Sequence, residues 1–308
     1  MEPTDPTMTV VAEGLRFPEG PIALPDGSVL LVEIARQTLS KVRPDGSVEV
    51  VAKTGGGPNG AAFGPDGRVW ITNNGGFAWR QRNGRDIPGP QPADYAGGSI
   101  QAVDLSTGEV ETVYTHCGEH GLRGPNDLVF DNAGGFWFTD PGKARDRDRD
   151  VGGLFYAKAD GTSIEEMSWG LETPNGVGLS PDGTTLYVAM TTTGRLYQWA
   201  LAQPGRFDSP YPKDRGTLLM ADPTENAFDS LAVDGEGHIC VATLRNGGIT
   251  DVAPDGSWTH VPTGDRLTTN ICFGGSDLRD AYITCSASGT LVRARWPRAG
   301  LALHHNPY

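Results

Sequence analysis

Short apolar runs separated by glycine- and proline-rich turns recur along the whole chain. Six of these runs are rich in β-branched and aromatic residues, and most follow a Pro-Asp-Gly type of turn. They cover residues 29–32, 69–72, 136–139, 186–190, 238–243 and 281–285. Runs of this length and composition predict β-strands, and few stretches keep a 3.6-residue period for long enough to predict a helix. The pattern therefore predicts an all-β fold.

A short polar phrase precedes each of these predicted strands. It is exemplified by Phe17-Pro18-Glu19-Gly20-Pro21 and by Thr173-Pro174-Asn175-Gly176-Val177. One position of the phrase is polar in all six copies, which are spaced by 40, 67, 49, 54 and 41 residues. The six residues at this position are Glu19, Asn59, Asn126, Asn175, Asp229 and Asn270.

Repeats of 40 to 50 residues, each with room for about four strands, are typical of β-propellers. The sequence therefore predicts one six-bladed β-propeller domain over residues 1–308, with four-stranded antiparallel blades. We expect Thr9–Ala12 to complete the last blade by pairing near Thr290–Arg295, which would leave few sheet edges exposed. Residues 1–8 are polar and proline-rich, and we expect them to be flexible.

The six polar residues are predicted to converge on the axis of the propeller, because the first strand of each blade lines the central channel. A single Asn before Gly is ordinarily a turn residue, but turn chemistry does not require Glu in one copy and Asp in another. Two carboxylates and four amides form an all-oxygen donor set, which suits Ca²⁺, Mg²⁺ or Mn²⁺. The column therefore predicts a central metal-binding channel.

Two long connections are predicted to be lid-like loops on one rim of the propeller, because both follow second strands. The first, residues 74–97, carries Phe77, Trp79 and Tyr95 together with three arginines. The second, residues 142–153, alternates Lys or Arg with Asp and is interpreted as a solvated, self-neutralising loop. Loops of this length in a compact domain often bind ligands.

Composition limits the possible partners and the compartment. A net charge of −13 argues against nucleic acid, which requires a basic surface. The four cysteines include no Cys-x-x-Cys pair, and Cys240, Cys272 and Cys285 are predicted to be small core residues. No signal peptide or membrane-spanning run is evident. The expectation is a cytoplasmic monomer without nucleic-acid or membrane partners.

The phrases of the repeat resemble those of a known family, the regucalcin/gluconolactonase family of six-bladed propellers. It includes lactonases and is related to phosphotriesterases of the diisopropyl-fluorophosphatase type. The phrases that carry the resemblance span nearly the whole chain: Phe17-Pro18-Glu19-Gly20-Pro21, Arg123-Gly124-Pro125-Asn126-Asp127, Pro174-Asn175-Gly176-Val177, Phe228-Asp229-Ser230-Leu231 and Cys272-Phe273-Gly274-Gly275. The insertion at residues 74–97 departs from the shorter members of the family.

The resemblance implies one divalent metal ion held by Glu19, Asn175 and Asp229. Asn126 matches a residue that touches substrate in gluconolactonases and binds metal in the phosphotriesterases, so both roles stay open. Ca²⁺ is favoured, and Mg²⁺, Mn²⁺ and Zn²⁺ are alternatives.

The resemblance also implies a gluconolactonase-like ester hydrolase that opens a small-molecule lactone. In this hypothesis the metal polarises the lactone carbonyl, and Asp229, with Glu19 second, activates water. His116 and His120 are expected to be ordinary surface residues. The alternatives are phosphotriester hydrolysis and a propeller that binds a ligand without catalysis. The expected substrate-binding residues are Asn126, Asn59, Asn270, Trp79, Phe77, Arg123 and Tyr95.

The insertion at residues 74–97 is expected to set the selectivity of the hydrolase. Its arginines could pair with carboxylates, and its aromatic rings could stack on a sugar or aryl ring. An acidic or aromatic lactone is therefore the hypothesis for the preferred substrate.

Overall fold

The computed structural model describes residues 6–211, 213–224 and 226–307. These residues form six antiparallel blade sheets, each built from a consecutive stretch of the chain apart from one N-terminal strand, and two small two-stranded hairpins. The result is the predicted six-bladed β-propeller. None of the described residues forms a helix long and apolar enough to cross a membrane.

The strands of the first three blades follow in order from the innermost strand outward. Blade 1 contains β2 (Pro18–Ala23), β3 (Val29–Glu33), β4 (Thr38–Val42) and β5 (Val48–Lys53). Blade 2 contains β6 (Pro58–Phe63), β7 (Val69–Asn73), β10 (Ser99–Val103) and β11 (Val110–Tyr114). Blade 3 contains β14 (Leu128–Phe130), β15 (Gly135–Asp140), β16 (Gly152–Lys158) and β17 (Ile164–Leu171).

The other three blades repeat this arrangement. Blade 4 contains β18 (Pro174–Leu179), β19 (Thr185–Met190), β20 (Arg195–Gln203) and β22 (Thr217–Ala221), with the short β21 (Arg206–Phe207) also on β20. Blade 5 contains β23 (Phe228–Val233), β24 (Ile239–Thr243), β25 (Gly248–Val252) and β26 (Trp258–Pro262). Blade 6 contains β27 (Thr268–Gly274), β28 (Asp280–Cys285), β29 (Thr290–Arg295) and β1 (Thr9–Ala12).

The N-terminal strand closes the ring, as the sequence predicts. Thr9 pairs with Arg293 and Val10 with Val292 in an antiparallel ladder between β1 and β29. Residues 1–5 of the segment expected to be flexible lie outside the described residues, whereas Met8 packs against the core of blade 6. Blade 6 is therefore built from both ends of the folded chain.

The core lies between neighbouring blades, because the second strands are buried on both faces. Every residue of β3, β7, β24 and β28 is buried. Each apolar cluster joins adjacent blades, as where Trp70 of blade 2 packs on Phe130 and Phe136 of blade 3. This double burial explains why the predicted second strands read as continuous apolar runs rather than as an alternating pattern. Cys240 and Cys285 are buried as predicted, whereas Cys272 is partly exposed.

The insertion at residues 74–97 contains a small hairpin of β8 (Arg80–Arg82) and β9 (Arg85–Ile87). A second small hairpin, β12 (His116–Cys117) with β13 (His120–Gly121), holds both predicted surface histidines, and both are exposed.

The segment at residues 142–153 is only partly the solvated loop that its charges suggest. Arg145 forms ion pairs with Asp148 and Asp150 within the segment. Lys143, however, is only 3% exposed and donates hydrogen bonds to the carbonyl oxygens of Asn74 and Gly76, at 2.9 and 2.5 Å. The interpretation of this segment as wholly solvated is therefore wrong at Lys143, which joins the two insertions.

Candidate functional site

The six polar residues of the repeat are all buried; five lie within the first three residues of an inner strand, and Asn126 lies two residues before β14. Their exposed fractions run from 2% for Glu19 to 9% for Asp229. In five blades the ladder between the first and second strands shifts register at this residue or directly beside it. A β-bulge redirects a side chain out of the regular alternation of a strand. In these blades the register shift of the inner strand thus lies at or beside the polar residue of the repeat.

Threonines on second strands hold the backbone of the neighbouring blade. The hydroxyl of Thr139 in blade 3 donates to the carbonyl oxygen of Asn175 in blade 4, at 2.5 Å. The hydroxyl of Thr72 in blade 2 donates in the same way to the carbonyl oxygen of Asn126 in blade 3. These contacts fix the polar residues of successive blades relative to one another, and the sequence analysis missed them.

Glycines that follow the polar residues allow the inner strands to approach closely. A Cβ atom on Gly60 would lie 2.7 Å from the carbonyl oxygen of Asn126, and one on Gly176 would lie 2.7 Å from that of Asp229. Side chains at these positions would push adjacent blades apart. The Gly of the Asn-Gly pairs therefore serves blade packing, in addition to any role in a turn.

In the structure, each of the two carboxylates of the polar column lies within hydrogen-bond distance of one side-chain amide of the same column. The side-chain nitrogen of Asn270 lies 2.7 Å from Oε2 of Glu19, and that of Asn175 lies 2.6 Å from Oδ1 of Asp229. Oε2 of Glu19 also accepts a hydrogen bond from the backbone N–H of Gly20, at 2.6 Å. Each carboxylate is therefore oriented by an amide from an adjacent blade.

Burial makes the ionised form of these carboxylates costly. It raises the pKa of Glu19 well above the usual range, and the negative charge of Asp229 raises it further. Burial also raises the pKa of Asp229 to about 7, against the opposing effect of the hydrogen bond from Asn175. Two buried carboxylates whose charges repel each other gain stability from a cation bound near both.

Asn126 supplies a further oxygen whose hydrogen-bonding capacity is unused. Its side-chain Oδ1 is buried and accepts no hydrogen bond from the described residues. An unpaired buried carbonyl oxygen is costly, and coordination of a cation or a donor from a ligand would satisfy it. The residues present thus fit a hard divalent cation.

Histidine and cysteine do not contribute to such a site. No group of three His, Cys, Asp or Glu side chains is arranged to hold one metal ion within residues 6–211, 213–224 and 226–307. A cation here would therefore need the amide oxygens as well as the carboxylates.

Asp127 is a third acidic side chain of the centre, and the sequence analysis did not include it among the site residues. It is buried, and its carboxylate accepts hydrogen bonds from the backbone N–H groups of Leu128 and Val177, at 2.9 and 3.4 Å. Burial raises the pKa of Asp127 to about 7, and its charge raises the pKa values of Glu19 and Asp229. The available signal was a carboxylate at a position where three other copies of the repeat carry glycine.

Two residues directly before the proline of the repeat have strained backbones. Phe17 and Thr173 have φ angles of 58° and 55°, in the left-handed region that side chains other than glycine rarely adopt. They precede Pro18-Glu19 and Pro174-Asn175. Strain of this kind costs about 1–3 kcal/mol per residue and is concentrated at functional sites.

The predicted substrate-binding residues divide into two groups. Asn59, Asn126 and Asn270 are buried in the ring; the amide nitrogen of Asn270 donates to Glu19, and its amide oxygen accepts from the backbone N–H of Ile271. The others lie at the rim: the hydroxyl of Tyr95 donates to the carbonyl oxygen of Arg123 at 2.5 Å, and the side chain of Arg123 is exposed.

The aromatic residues of the first insertion reach the edge of the ring. The ring of Trp79 lies 5.3 Å from that of Phe17 and 5.6 Å from that of Phe77, measured between centroids. Phe17 is two residues before Glu19. The insertion therefore covers the side of the ring formed by blades 1 and 2.

The opposite mouth of the channel is covered by the C-terminal segment. Leu301, Leu303 and His304 line a largely apolar cavity of about 90 Å³ together with Asp127 and Asn270. The ring of His305 packs edge-on against Phe130 at 5.7 Å. This cavity reaches Asp127 and Asn270 of the centre from the side of the C-terminal segment.

Comparisons with known proteins point to the same family. A family model described as SMP-30/Gluconolactonase/LRE-like region matches residues 17–287. A gluconolactonase of Zymomonas mobilis is 27% identical over 316 residues, which cover 93% of this chain and 80% of that protein. Lactonase drp35 of Staphylococcus aureus is 26% identical over 240 residues, which cover 76% of this chain and 64% of the relative. This chain thus spans less than two thirds of the length of that lactonase.

Solved structures share the fold. A gluconolactonase from Xanthomonas campestris superposes with a TM-score of 0.73 at 21% identity, covering 95% of this chain and 90% of the other. The calcium-binding protein regucalcin from Agrobacterium tumefaciens gives a TM-score of 0.72 at 18% identity, covering 97% and 98%. Identities this low establish the architecture alone. With the family model matched over residues 17–287, the chain belongs to the SMP-30/gluconolactonase/LRE-like family.

Proposed function

We propose that this protein is a divalent-metal-dependent hydrolase that opens the ring of a lactone. The observation that carries the proposal is the buried ring itself: Glu19 and Asp229 are buried and their charges interact, and Oδ1 of Asn126 is buried without a hydrogen bond from the described residues. The names of the curated relatives, a gluconolactonase and a lactonase, support the reaction class.

Glu19, Asn126, Asn175 and Asp229 would hold the cation, with Ca²⁺ as the first candidate because all four offer oxygen donors. When bound, such a cation acts as a Lewis acid that polarises a carbonyl and stabilises the negative charge that develops on its oxygen. The ring can do this without histidine, since neither charge nor geometry requires a nitrogen ligand for a hard cation.

Asp229 is the proposed general base. Asn175 holds its Oδ1, which orients the carboxylate, and a bound divalent cation would keep the carboxyl group ionised and able to accept a proton. Asp229 takes a proton from water as the water oxygen bonds to the lactone carbonyl carbon. The ring C–O bond then breaks, and the proton passes to the departing alkoxide. Water and lactone thus give one hydroxy acid.

Glu19 and Asn59 would complete the inner site. The hydrogen bonds from Asn270 and Gly20 fix the carboxylate of Glu19 and leave Asn270 as a positioning residue. Asn59 is buried in the same ring and can offer an amide to a substrate hydroxyl.

The test is an acid-release assay with a pH indicator on glucono-1,5-lactone, γ-butyrolactone and dihydrocoumarin. The purified protein is measured as isolated, after chelation, and after Ca²⁺, Mn²⁺ or Zn²⁺ is returned. We expect activity that chelation removes and one metal restores. Absence of turnover for every lactone under every metal condition would reject the proposal.

Paraoxon belongs in the same panel, because a ring with four oxygen ligands could also serve phosphotriester hydrolysis with Asp229 as nucleophile. Faster turnover of paraoxon than of any lactone would move the assignment to that reaction. A protein that neither turns over any of these compounds nor responds to chelation would fit a ligand-binding propeller instead.

A further inference from the structure

A second cavity lies beside the ring, between blades 1 and 2 and beneath the insertion at residues 74–97. Its volume is about 430 Å³. This falls within the range of small-molecule pockets, roughly 300–1,000 Å³. Because the insertion forms one side of it, the cavity is a feature of this rim rather than of the six-fold repeat.

The blades provide polar groups in a fixed arrangement. The side-chain nitrogen of Asn73 donates to Oε1 of Gln101 at 3.1 Å, and the side-chain nitrogen of Gln101 donates to the carbonyl oxygen of Thr54 at 3.1 Å. Gln37 and Ser99 complete this side of the cavity. Asn73 uses both amide hydrogens and both oxygen lone pairs within the protein, so the groups left for a ligand hydroxyl are the second N–H of Gln101 and the side chains of Gln37 and Ser99.

The insertion provides aromatic rings and one acid. Phe77 and Trp79 line the cavity and are only partly buried, and Asp94 lines it as an exposed carboxylate. Trp79 packs against Phe17 and Phe77, so its ring plane is held in place. A partly exposed, rigid aromatic ring is a surface on which a flat apolar face of a ligand can stack.

The insertion is anchored on both sides, so the cavity is formed before a ligand arrives. Arg16 donates from Nε and Nη2 to the carboxylate of Asp86, at 2.9 and 2.7 Å. On the other side Lys143 binds two carbonyl oxygens of the insertion, and the N–H of Gln91 donates to the carbonyl oxygen of Ala144 at 2.8 Å. A preformed cavity requires little ordering when it binds.

The charges of the cavity exclude an anionic ligand. None of the residues that line it is Lys, Arg or His, and Asp94 would repel a carboxylate. Arg80, Arg82 and Arg85, which suggested an acidic substrate, are exposed on the hairpin and do not line this cavity. The combination of amides, hydroxyl groups, one acceptor carboxylate and aromatic faces suits a neutral polyhydroxylated ring.

The cavity also adjoins the central site. Gly56, three residues before Asn59, contributes to its lining. Trp79 contacts Phe17, two residues before Glu19. Residues at the cavity are thus only two or three positions along the chain from Asn59 and Glu19 of the ring. One ligand could therefore place one part in the cavity and another part at the ring.

We propose that this cavity binds a neutral pyranose unit, and that it serves as a subsite for a glycosyl group attached to the lactone. The second half of this statement rests on the proposed function, whereas the first half does not. The proposal makes Trp79 and Asp94 specificity-determining residues.

The binding half is tested by calorimetric titration of the purified protein with cellobiose and with glucuronate. We expect cellobiose to bind with a Kd of about 0.1–10 mM, the range for a small polar ligand with few contacts, and more tightly than glucuronate. Trp79→Ala and Asp94→Asn should each weaken cellobiose binding by about threefold or more. Trp258→Ala, which removes a half-exposed tryptophan from the outer strand of blade 5, is the matched control.

Asp94→Asn keeps the shape of an exposed side chain, so it remains informative if Trp79→Ala loosens the insertion. Absence of cellobiose binding, binding that neither variant weakens, or tighter binding of glucuronate would each overturn the proposal.

The subsite half is tested with the ratio of kcat/KM for cellobionolactone to kcat/KM for glucono-1,5-lactone. The ratio should exceed one in the unmodified protein and should fall by about threefold or more in Trp79→Ala. A ratio that the substitution leaves unchanged would overturn the subsite. If neither lactone is turned over, the proposed function fails, and the calorimetric result still decides whether the cavity binds a pyranose.

Discussion

The side-chain amide of Asn175 donates a hydrogen bond of 2.6 Å to the carboxylate of Asp229, although 54 positions of the chain separate the two residues. Asn175 belongs to blade 4 and Asp229 to blade 5, so the contact crosses the boundary between two sheets. The amide nitrogen also donates to Oγ1 of Thr191 at 3.0 Å, and the amide oxygen accepts only a long hydrogen bond from the hydroxyl of Ser230, at 3.4 Å, so it keeps a lone pair for another partner. One residue can therefore orient a carboxylate and offer an oxygen ligand at the same time.

Asp229→Asn is expected to reduce lactone hydrolysis by a factor of about 10²–10⁴, because an amide cannot accept the proton of water. The change keeps the size of the side chain, so the fold should survive. Initial rates at saturating metal measure the effect. Asp255→Asn, which alters an exposed turn carboxylate of the same blade, is the control. Equal rates in Asp229→Asn and unmodified protein would contradict the role of general base.

Removal of the cation is expected to lower the melting temperature. A ligand at a hundredfold excess over its Kd stabilises the folded state by about 2.7 kcal/mol, which corresponds to a shift of about 5 °C in a chain of this size. The melting temperature is measured with chelator and with added Ca²⁺, Mn²⁺ or Zn²⁺. Glu19→Gln should lose most of the response, since one of the two carboxylates is gone. Identical melting curves under all conditions would argue against a metal site.

Asn126→Ala is expected to raise the Kd of the cation by about tenfold or more, because it removes a buried side-chain oxygen that accepts no hydrogen bond from the described part of the chain. Titration calorimetry with the metal measures the change directly. Asn132→Ala removes an exposed asparagine from the turn that follows in blade 3 and should bind metal as the unmodified protein does. An unchanged metal Kd together with a raised KM would assign Asn126 to the substrate instead.

Thr139→Val is expected to destabilise the protein by about 1–3 kcal/mol, because the carbonyl oxygen of Asn175 loses its buried donor. The same substitution removes the hydroxyl that accepts from the N–H of Asp127 at 3.3 Å. Chemical denaturation measures the loss, and Thr112→Val on the exposed outer strand of blade 2 is the control. Equal free energies of unfolding for Thr139→Val and Thr112→Val would show that this contact between blades contributes little to stability.

The buried Lys143 is expected to make stability depend on pH. Burial lowers its pKa to about 8 from the ordinary value of 10.5. Above pH 8 the unfolded chain therefore binds more protons at this residue, so its contribution to stability rises between about pH 8 and 10.5 and is lost as the pH falls through 8. The full change is on the order of 3 kcal/mol.

Denaturation at pH 7.5, 8.5 and 9.5 tests this expectation, by comparing the unmodified protein with Lys143→Met. The free energy of unfolding of the unmodified protein should rise relative to that of the variant as the pH increases. Lys213→Met removes an exposed lysine and controls for the change in net charge. A constant difference between Lys143→Met and the unmodified protein would contradict the prediction.

The repeat made much of the fold predictable from the sequence. Each copy carries a glycine-containing turn and a largely buried second strand, so six copies specify six blades. The pairing of Thr9–Ala12 with Thr290–Arg295 follows from ring closure. The polar column was visible for the same reason, since an equivalent position in each copy must lie at an equivalent depth. Local patterning is sufficient here because every blade makes the same contacts with its neighbours.

The contacts between copies could not be predicted in this way. The sequence gives no signal that Asn270 would orient Glu19 while Asn175 would orient Asp229, because both pairings depend on how neighbouring blades approach each other. Asp127 is part of the centre because close packing buries it together with the preceding residue, Asn126. The charge pattern of residues 142–153 also concealed the burial of Lys143, which depends on the path of a different insertion.

The sequence by itself therefore determined the architecture and the kinds of ligand atoms at its centre. Tertiary structure alone decided which side chains share a hydrogen bond, which charges are buried, and that the arginines of residues 80–85 are exposed away from the cavity lined by Phe77 and Trp79. The physical reason is the range of the interactions. Strand pattern and turn chemistry act over a few residues, whereas desolvation and side-chain pairing depend on segments that meet only in the folded chain.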